Sequence, residues 1–164
     1  MTTTSNMFVH NILGGAMTAV GTIRLYRPAP ETISESERCG RAQFTVRNAG
    51  TPRIQIAVCG EIDAVNGRAL GYYIERHTGT SRQLILDLRP VDFFGSQGFT
   101  ALYYASVHCS RSDVDWIVVS SPPVQRILRI CDPDGELPVI DDMAAAVHRL
   151  DRLAVSRRRM HSTG

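Results

Sequence analysis

Gln83-Leu84-Ile85-Leu86-Asp87-Leu88-Arg89-Pro90-Val91-Asp92-Phe93-Phe94-Gly95-Ser96-Gln97-Gly98 is the passage on which the fold turns. Its first six residues form a near-continuous apolar run, the pattern of a strand covered on both faces rather than half exposed to water. Strands of that kind belong to parallel sheets flanked by helices, so helical patterns are expected on either side of it. A short loop leads to Ser96, a residue type that caps helices, and a helix is expected from there to about Cys109.

Both flanks follow the expected alternation. Upstream, Gln43–Asn48 and Arg53–Gly60 are β-rich runs separated by Ala49-Gly50-Thr51-Pro52, a turn composition, and read as a hairpin or closely connected strands. Asp63 is placed to cap a helix that carries Leu70, Tyr73, Ile74 and His77 on one stripe. Gly67 and Gly71 weaken that helix by up to about 1 kcal/mol each relative to Ala, so packing must hold it. Downstream, Asp115–Ser120 is a second buried strand. Ser121-Pro122-Pro123 opens a helix with Pro at or beside its first position, with Val124, Ile127, Leu128 and Cys131 as its stripe. Asp132-Pro133-Asp134-Gly135 ends it, Leu137–Ile140 is a short last strand, and Asp141 or Asp142 caps a final helix to about Leu150. The expected fold is one α/β domain over residues 41–151, a mixed, mostly parallel sheet of four to five strands packed by about four helices. Residues 1–40 read as a flexible leader and residues 152–164 as a basic disordered tail.

Composition removes whole classes of chemistry. All 18 cationic side chains are Arg. Without lysine there is no phosphate-loop Lys, kinase strand Lys, Schiff-base Lys or receiver-domain Lys. Residues 1–40 hold three Arg and three Glu, residues 41–151 hold 11 Arg and 13 acids, and residues 152–164 hold four Arg and no acid. The basic excess is therefore confined to the tail, and Arg157, Arg158 and Arg159 read as solvated, with no direct nucleic-acid binding expected. Cys39, Cys59, Cys109 and Cys131 form no C-x-x-C pair and have no His at ligand spacing, so no metal is expected. Met7–Ile23 is uncharged, but no basic region precedes it, and His10, Asn11, Gly14 and Gly15 dilute it, so it is not read as a signal or membrane anchor. A cytoplasmic protein is expected, with no membrane partner and with its thiols mostly reduced.

The loop before Ser96 leaves the carboxyl end of a central strand and enters a helix N-terminus, where open α/β sheets place their sites. Free amides and the positive end of the helix dipole favour an anion there. A phosphate on Ser96 would be locally stabilised, and would add about −1.5 to −2 charge to any surface docked over it. From spacing alone, a plain N-cap is the favoured reading of Ser96.

Four motifs in order carry a family resemblance: Gly60-Glu61-Ile62-Asp63; Leu84-Ile85-Leu86-Asp87-Leu88 with Val91-Asp92-Phe93; Gly95-Ser96-Gln97-Gly98; and Ser121-Pro122-Pro123-Val124-Gln125-Arg126-Ile127-Leu128. Together they resemble the STAS domain of bacterial anti-sigma factor antagonists, over roughly residues 41–150. The resemblance implies a non-enzymatic, cofactor-free module that binds an anti-sigma factor, often a serine kinase, and so releases a sigma factor. It implies Ser96 as the phosphoacceptor, and Asp63, Asp92, Phe94, Gly95, Ser96, Gln97 and Gly98 as the partner-binding set. Where the family pattern has Asp-Ser-Ser-Gly, this chain has Gly95, Ser96, Gln97 and Gly98, so the acceptor hydroxyl is kept and its polar neighbours are not. An alternative is therefore a STAS scaffold or sensor that is never phosphorylated. Phe93, Phe94 and Phe99 are expected to be split between core and contact, with core the favoured place for each.

Two further expectations complete the reading. Cys109 and Cys131, near the ends of successive helices, are candidates for a redox pair if their Cα atoms come within about 7 Å. A hydrolase is disfavoured, because a nucleophile elbow needs Gly where Phe94 stands, and neither His77 nor His108 is tied to Ser96.

Overall fold

The computed structural model describes residues 32–49 and 52–161. Strands β1 (Thr32–Cys39), β2 (Ala42–Asn48) and β3 (Arg53–Ile62) are followed by α1 (Gly67–Thr78), β4 (Gln83–Asp87), β5 (Val91–Phe94) and α2 (Ser96–Arg111). Then come β6 (Asp115–Val119), α3 (Pro122–Cys131), β7 (Val139–Ile140) and α4 (Met143–His161). The sheet runs β1-β2-β3-β4-β6-β7, with β5 paired to β3 beyond the end of β4. The β1–β2 and β2–β3 pairs are antiparallel, and all the others are parallel. The α/β class, the mixed and mostly parallel sheet and the four helices among the described residues agree with expectation; the sheet has seven strands among those residues rather than four to five.

Alternation along β4 explains how both its faces are covered. Leu84 and Leu86 join the core that includes Leu70 and Ile74 of α1, Leu102 of α2 and Val124 of α3. Ile85 points the other way, with Ile117 and Val119, onto Ala146 and Leu150 of α4. In contrast, β2 buries Ala42, Phe44 and Val46 and leaves Gln43, Thr45 and Arg47 only partly covered, as a one-sided antiparallel wing does.

Three boundaries shift. The leader expected to extend to residue 40 ends earlier, because Thr32–Cys39 is strand β1. Its polar composition hides it, and tertiary contacts hold it: Arg76 of α1 pairs with Glu35 at 2.9 Å and Glu37 at 2.7 Å, and the Tyr73 hydroxyl donates to the Glu35 carbonyl. The remainder of the leader, residues 1–31, lies outside the described residues. The expected loop between β4 and α2 contains β5. Asp87 pairs with Ala57 on one side of Pro90, and Val91 pairs with Gly60 on the other, so the chain steps off β3 and rejoins it.

The tail expected to be disordered is helical to His161, because Arg157 bonds Asp113 and Asp115 at 2.6 and 2.8 Å and ties α4 to the start of β6. Asp142 caps α4 through the Ala145 amide at 2.7 Å. Cys131, expected on the apolar stripe of α3, is exposed; Val124 and Leu128 carry that face.

Candidate functional site

The site forms where the ends of β3 and β5 meet the first turns of α1 and α2. Gly60 allows the meeting. Its φ of +93° and the 2.1 Å at which a Cβ would approach the Arg41 carbonyl admit no other residue, and the β3–β5 register shifts immediately after it. Beyond it, the Gly95 amide donates to the Ile62 carbonyl at 2.8 Å, fixing the start of α2 to the end of β3.

Asn66, fully buried, organises the other side. Its Nδ2 donates to the carbonyls of Glu61 at 2.8 Å and Cys39 at 3.2 Å, and its Oδ1 accepts from the Asp63 amide at 2.9 Å. One side chain thus joins the end of β1, the end of β3 and the start of α1. Asp63 does not cap α1 as expected. Its carboxylate accepts from the Val65 amide two residues on, a local Asx turn, and the helix begins after Asn66. An Asn in a loop carries no signal of burial by type alone, which is why it goes unread in the sequence.

Ser96 is likewise not the N-cap. Gly95 takes that position in extended conformation, and Ser96 is the first residue of a 16-residue helix. Its side chain is exposed, and among the described residues its hydroxyl makes no hydrogen bond. The Gly98 and Phe99 amides turn back to the Gly95 carbonyl, while those of Ser96 and Gln97 lack intrahelical acceptors. No acidic residue occupies the first turn, so the positive end of the dipole is uncompensated by a side chain there.

Around Ser96, β5 alternates: Val91 and Phe94 are buried, Asp92 and Phe93 exposed. Phe94, expected as a partner contact, is 2% exposed and belongs to the core. Gly98, also expected in that set, is buried because the Phe94 ring lies over it; a Cβ there would sit 2.6 Å from ring carbons. Phe93 is 51% exposed, contrary to the core preference, and Phe99 is half-buried against the core. A Cβ on Gly95 would meet the Phe93 ring and the Ile62 carbonyl at 3.4 Å, so the Gly that replaces the family's Asp lets that ring lie close. Gln97 is exposed, while its Cβ packs on Gly67 of α1. The outward residues of the expected set are therefore Asp92, Ser96 and Gln97, joined by Phe93, with Asp63 and Gly95 half-buried behind them.

Asp87, the strand-end carboxylate behind the loop, is buried and fully engaged. Arg89 donates to its two oxygens at 2.9 and 2.8 Å, and Gln55 reaches it at 3.3 Å. That pairing holds the Arg89 guanidinium above its ordinary pKa. All four cysteines are free thiols, and burial pushes Cys109 up to about 12. The candidate redox pair Cys109 and Cys131 is unbonded, one thiol being buried and the other exposed. His108 meets Thr78 at 2.7 Å, joining α2 to the end of α1 away from Ser96. Among the described residues no cluster of His, Cys, Asp or Glu could hold a metal ion, and no helix is long and apolar enough to cross a membrane.

The family model for the STAS domain matches residues 45–146. Osmosensory protein A of Mycobacterium tuberculosis is 32% identical over 108 residues, which cover 63% of this chain and 68% of that protein. The crystal structure of an anti-sigma factor antagonist from Mycobacterium paratuberculosis superposes with a TM-score of 0.57 at 23% identity, covering 66% of this chain and 92% of that one. The anti-sigma factor antagonist SpoIIAA in its unphosphorylated form gives a TM-score of 0.55 at 16% identity, covering 66% and 96%. At those identities the two structures speak for the fold.

Proposed function

The chain belongs to the STAS domain family, and from that premise we propose that it is an anti-sigma factor antagonist, binding a cognate anti-sigma factor of the serine-kinase type and so releasing a sigma factor in the cytoplasm. The docking face comprises Asp92, Phe93, Ser96 and Gln97. Phosphorylation of Ser96 by the bound kinase ends the complex. The chain itself catalyses nothing and needs no cofactor.

The observation that carries this reading is the free Ser96 hydroxyl at the first position of α2, exposed and unbonded, beside amides without intrahelical acceptors. A phosphate there gains charge-assisted bonds from those amides within its own chain, while its charge repels whatever carboxylates or apolar surface the partner had placed over the helix. The unmodified face offers Phe93 as an aromatic anchor, half out of the core and flanked by polar residues, which is how residues that dominate binding energy are commonly disposed.

The test has two arms. Capture with wild-type and Ser96→Glu baits should retain an anti-sigma factor on the first and lose it on the second. Incubating the captured kinase with ATP should then place one phosphate on Ser96, located by peptide mass spectrometry. Gly95 and Gln97, in place of the family's Asp and Ser, favour a second reading, a docking scaffold that is never phosphorylated. Capture without phosphate transfer would select it.

A further inference from the structure

Between α1 and α2 runs a groove of about 640 Å³. On the α1 side its lining includes Arg68, Gly71, Tyr72 and Glu75, whose i, i+3, i+4, i+7 spacing sets them on one face of the helix. Arg68, Tyr72 and Glu75 are all exposed, Tyr72 at 59%. Gly71 is the informative residue. Gly67, one turn earlier, is required by packing because a Cβ would lie 2.8 Å from the Gln97 Cβ, whereas a Cβ on Gly71 would meet nothing within 4 Å. A glycine inside a helix costs about 1 kcal/mol relative to Ala, and no neighbour among the described residues demands this one.

The charges beside it are not satisfied locally either. Arg76, next along the helix, pairs with Glu35 and Glu37 of β1. Arg68 and Glu75 enter no ion pair among the described residues; the Arg68 guanidinium lies over the Tyr72 ring, 5.8 Å from its centre. Two helical turns separate Arg68 from Glu75, about 10.5 Å along the axis, so opposite charges stand at the two ends of the face.

One symmetry operation accounts for all four residues. When α1 packs antiparallel on a second α1 about a two-fold axis between Gly71 and Tyr72, each residue faces the one equally far from that axis on the other helix. Arg68 then faces the partner's Glu75, Glu75 faces the partner's Arg68, and Tyr72 faces the partner's Gly71. The ion pair forms twice, and each ring fills the space that the opposite glycine leaves open. Glycine at the crossing lets the helices approach to about 8 Å, the close end of the usual range. Parallel packing would set Arg68 against Arg68 and Glu75 against Glu75, so charge fixes the direction. Tyr104 of α2, 64% exposed and also lining the groove, extends the aromatic surface beside this face.

We propose that the face of α1 formed by Arg68, Gly71, Tyr72 and Glu75 is the contact of an antiparallel homodimer, its occupant being a second copy of this chain. Such self-complementary two-fold contacts are the commonest among soluble homo-oligomers. The proposal goes beyond the antagonist reading and does not rest on it.

Sedimentation equilibrium of the full chain, 18.1 kDa as a monomer, tests it. The wild type should rise towards twice that mass as concentration increases. Arg68→Glu and Glu75→Arg, both at exposed positions, should each weaken association at least tenfold. Mixed in equal amounts, the two variants should recover a dimer, because each supplies the charge that the other lacks, and a chain carrying both substitutions should associate as the wild type does. Gly71→Leu, which occupies the seat of the Tyr72 ring, should weaken association by the same measure while circular dichroism shows the fold kept. A wild type still monomeric at about 1 mM overturns the proposal, as does a dimer indifferent to these substitutions or a mixture that fails to recover one. A monomeric wild type whose Gly71→Leu variant no longer retains an anti-sigma factor gives the groove to that partner and overturns it as well.

Discussion

Gly67 of α1 and Gln97 of α2 touch so closely that a Cβ added to the glycine would stand 2.8 Å from the Gln97 Cβ and 2.9 Å from its backbone carbonyl. The two first turns that frame the proposed docking face are therefore locked to each other by backbone approach. Gly67→Ala should destabilise the domain by about 1–3 kcal/mol, the usual range for overpacking, despite the gain in helix propensity. Gly71→Ala, four residues on and unobstructed, should stabilise it by about 0.5–1 kcal/mol. Urea denaturation of the two variants checks the opposite signs.

Ser96→Glu should weaken binding to the anti-sigma factor at least tenfold, about 1.4 kcal/mol, and leave the thermal midpoint nearly unchanged, since the side chain is exposed and unbonded. Titration calorimetry and a melting curve on one preparation decide it. An unchanged dissociation constant would remove Ser96 from the interface.

His77 gives the domain a pH signature. Burial holds its pKa below the ordinary 6.5, with the Glu35 and Glu37 carboxylates opposing and Arg76 adding to the depression; its Nε2 is buried without a hydrogen bond. A His that resists protonation when folded takes up its proton more readily when unfolded. The domain should therefore lose stability as pH falls through about 6.5, levelling once pH drops below the folded value. Denaturation of the wild type and His77→Gln at pH 7.5 and 5.5 isolates the effect, and the variant should lose less on acidification.

The thiols should separate by reactivity. At pH 8, iodoacetamide should modify exposed Cys59 and Cys131 while Cys109, buried and with its pKa raised to about 12, stays unlabelled until the chain is denatured. Mild oxidation should yield no Cys109–Cys131 link, which peptide mapping under non-reducing conditions would reveal.

The central strands and the helices packed on them were legible because their order follows from hydrophobic period, and Leu84–Leu88 fixes the layer that everything else covers. The loop that carries the candidate site was legible for the same reason, since it leaves the end of such a strand. What sequence pattern missed depends on single distant partners. Strand β1 reads as polar leader until Arg76 and Tyr73 of α1 are beside it, and the tail reads as solvated until Arg157 meets Asp113 and Asp115. Phe93 and Phe94 are identical in type and adjacent, and only strand alternation sends one outward and the other into the core. Asn66 carries no pattern at all, yet three hydrogen bonds to the chain ends around it make it the organiser of the loop cluster.

The contacts that hold β1 to α1 also decide how this sheet meets other sheets. Among the described residues β1 is an outermost strand, and an unpaired row of backbone amides and carbonyls invites strand addition from a neighbour. Here the row is studded with Glu35, Glu37 and Arg38, two of them already engaged by Arg76. At the opposite margin β7 is two residues long. An incoming strand would find charge on one border and too little length on the other, so the domain should remain unassociated through its sheet while its helical face stays open to partners.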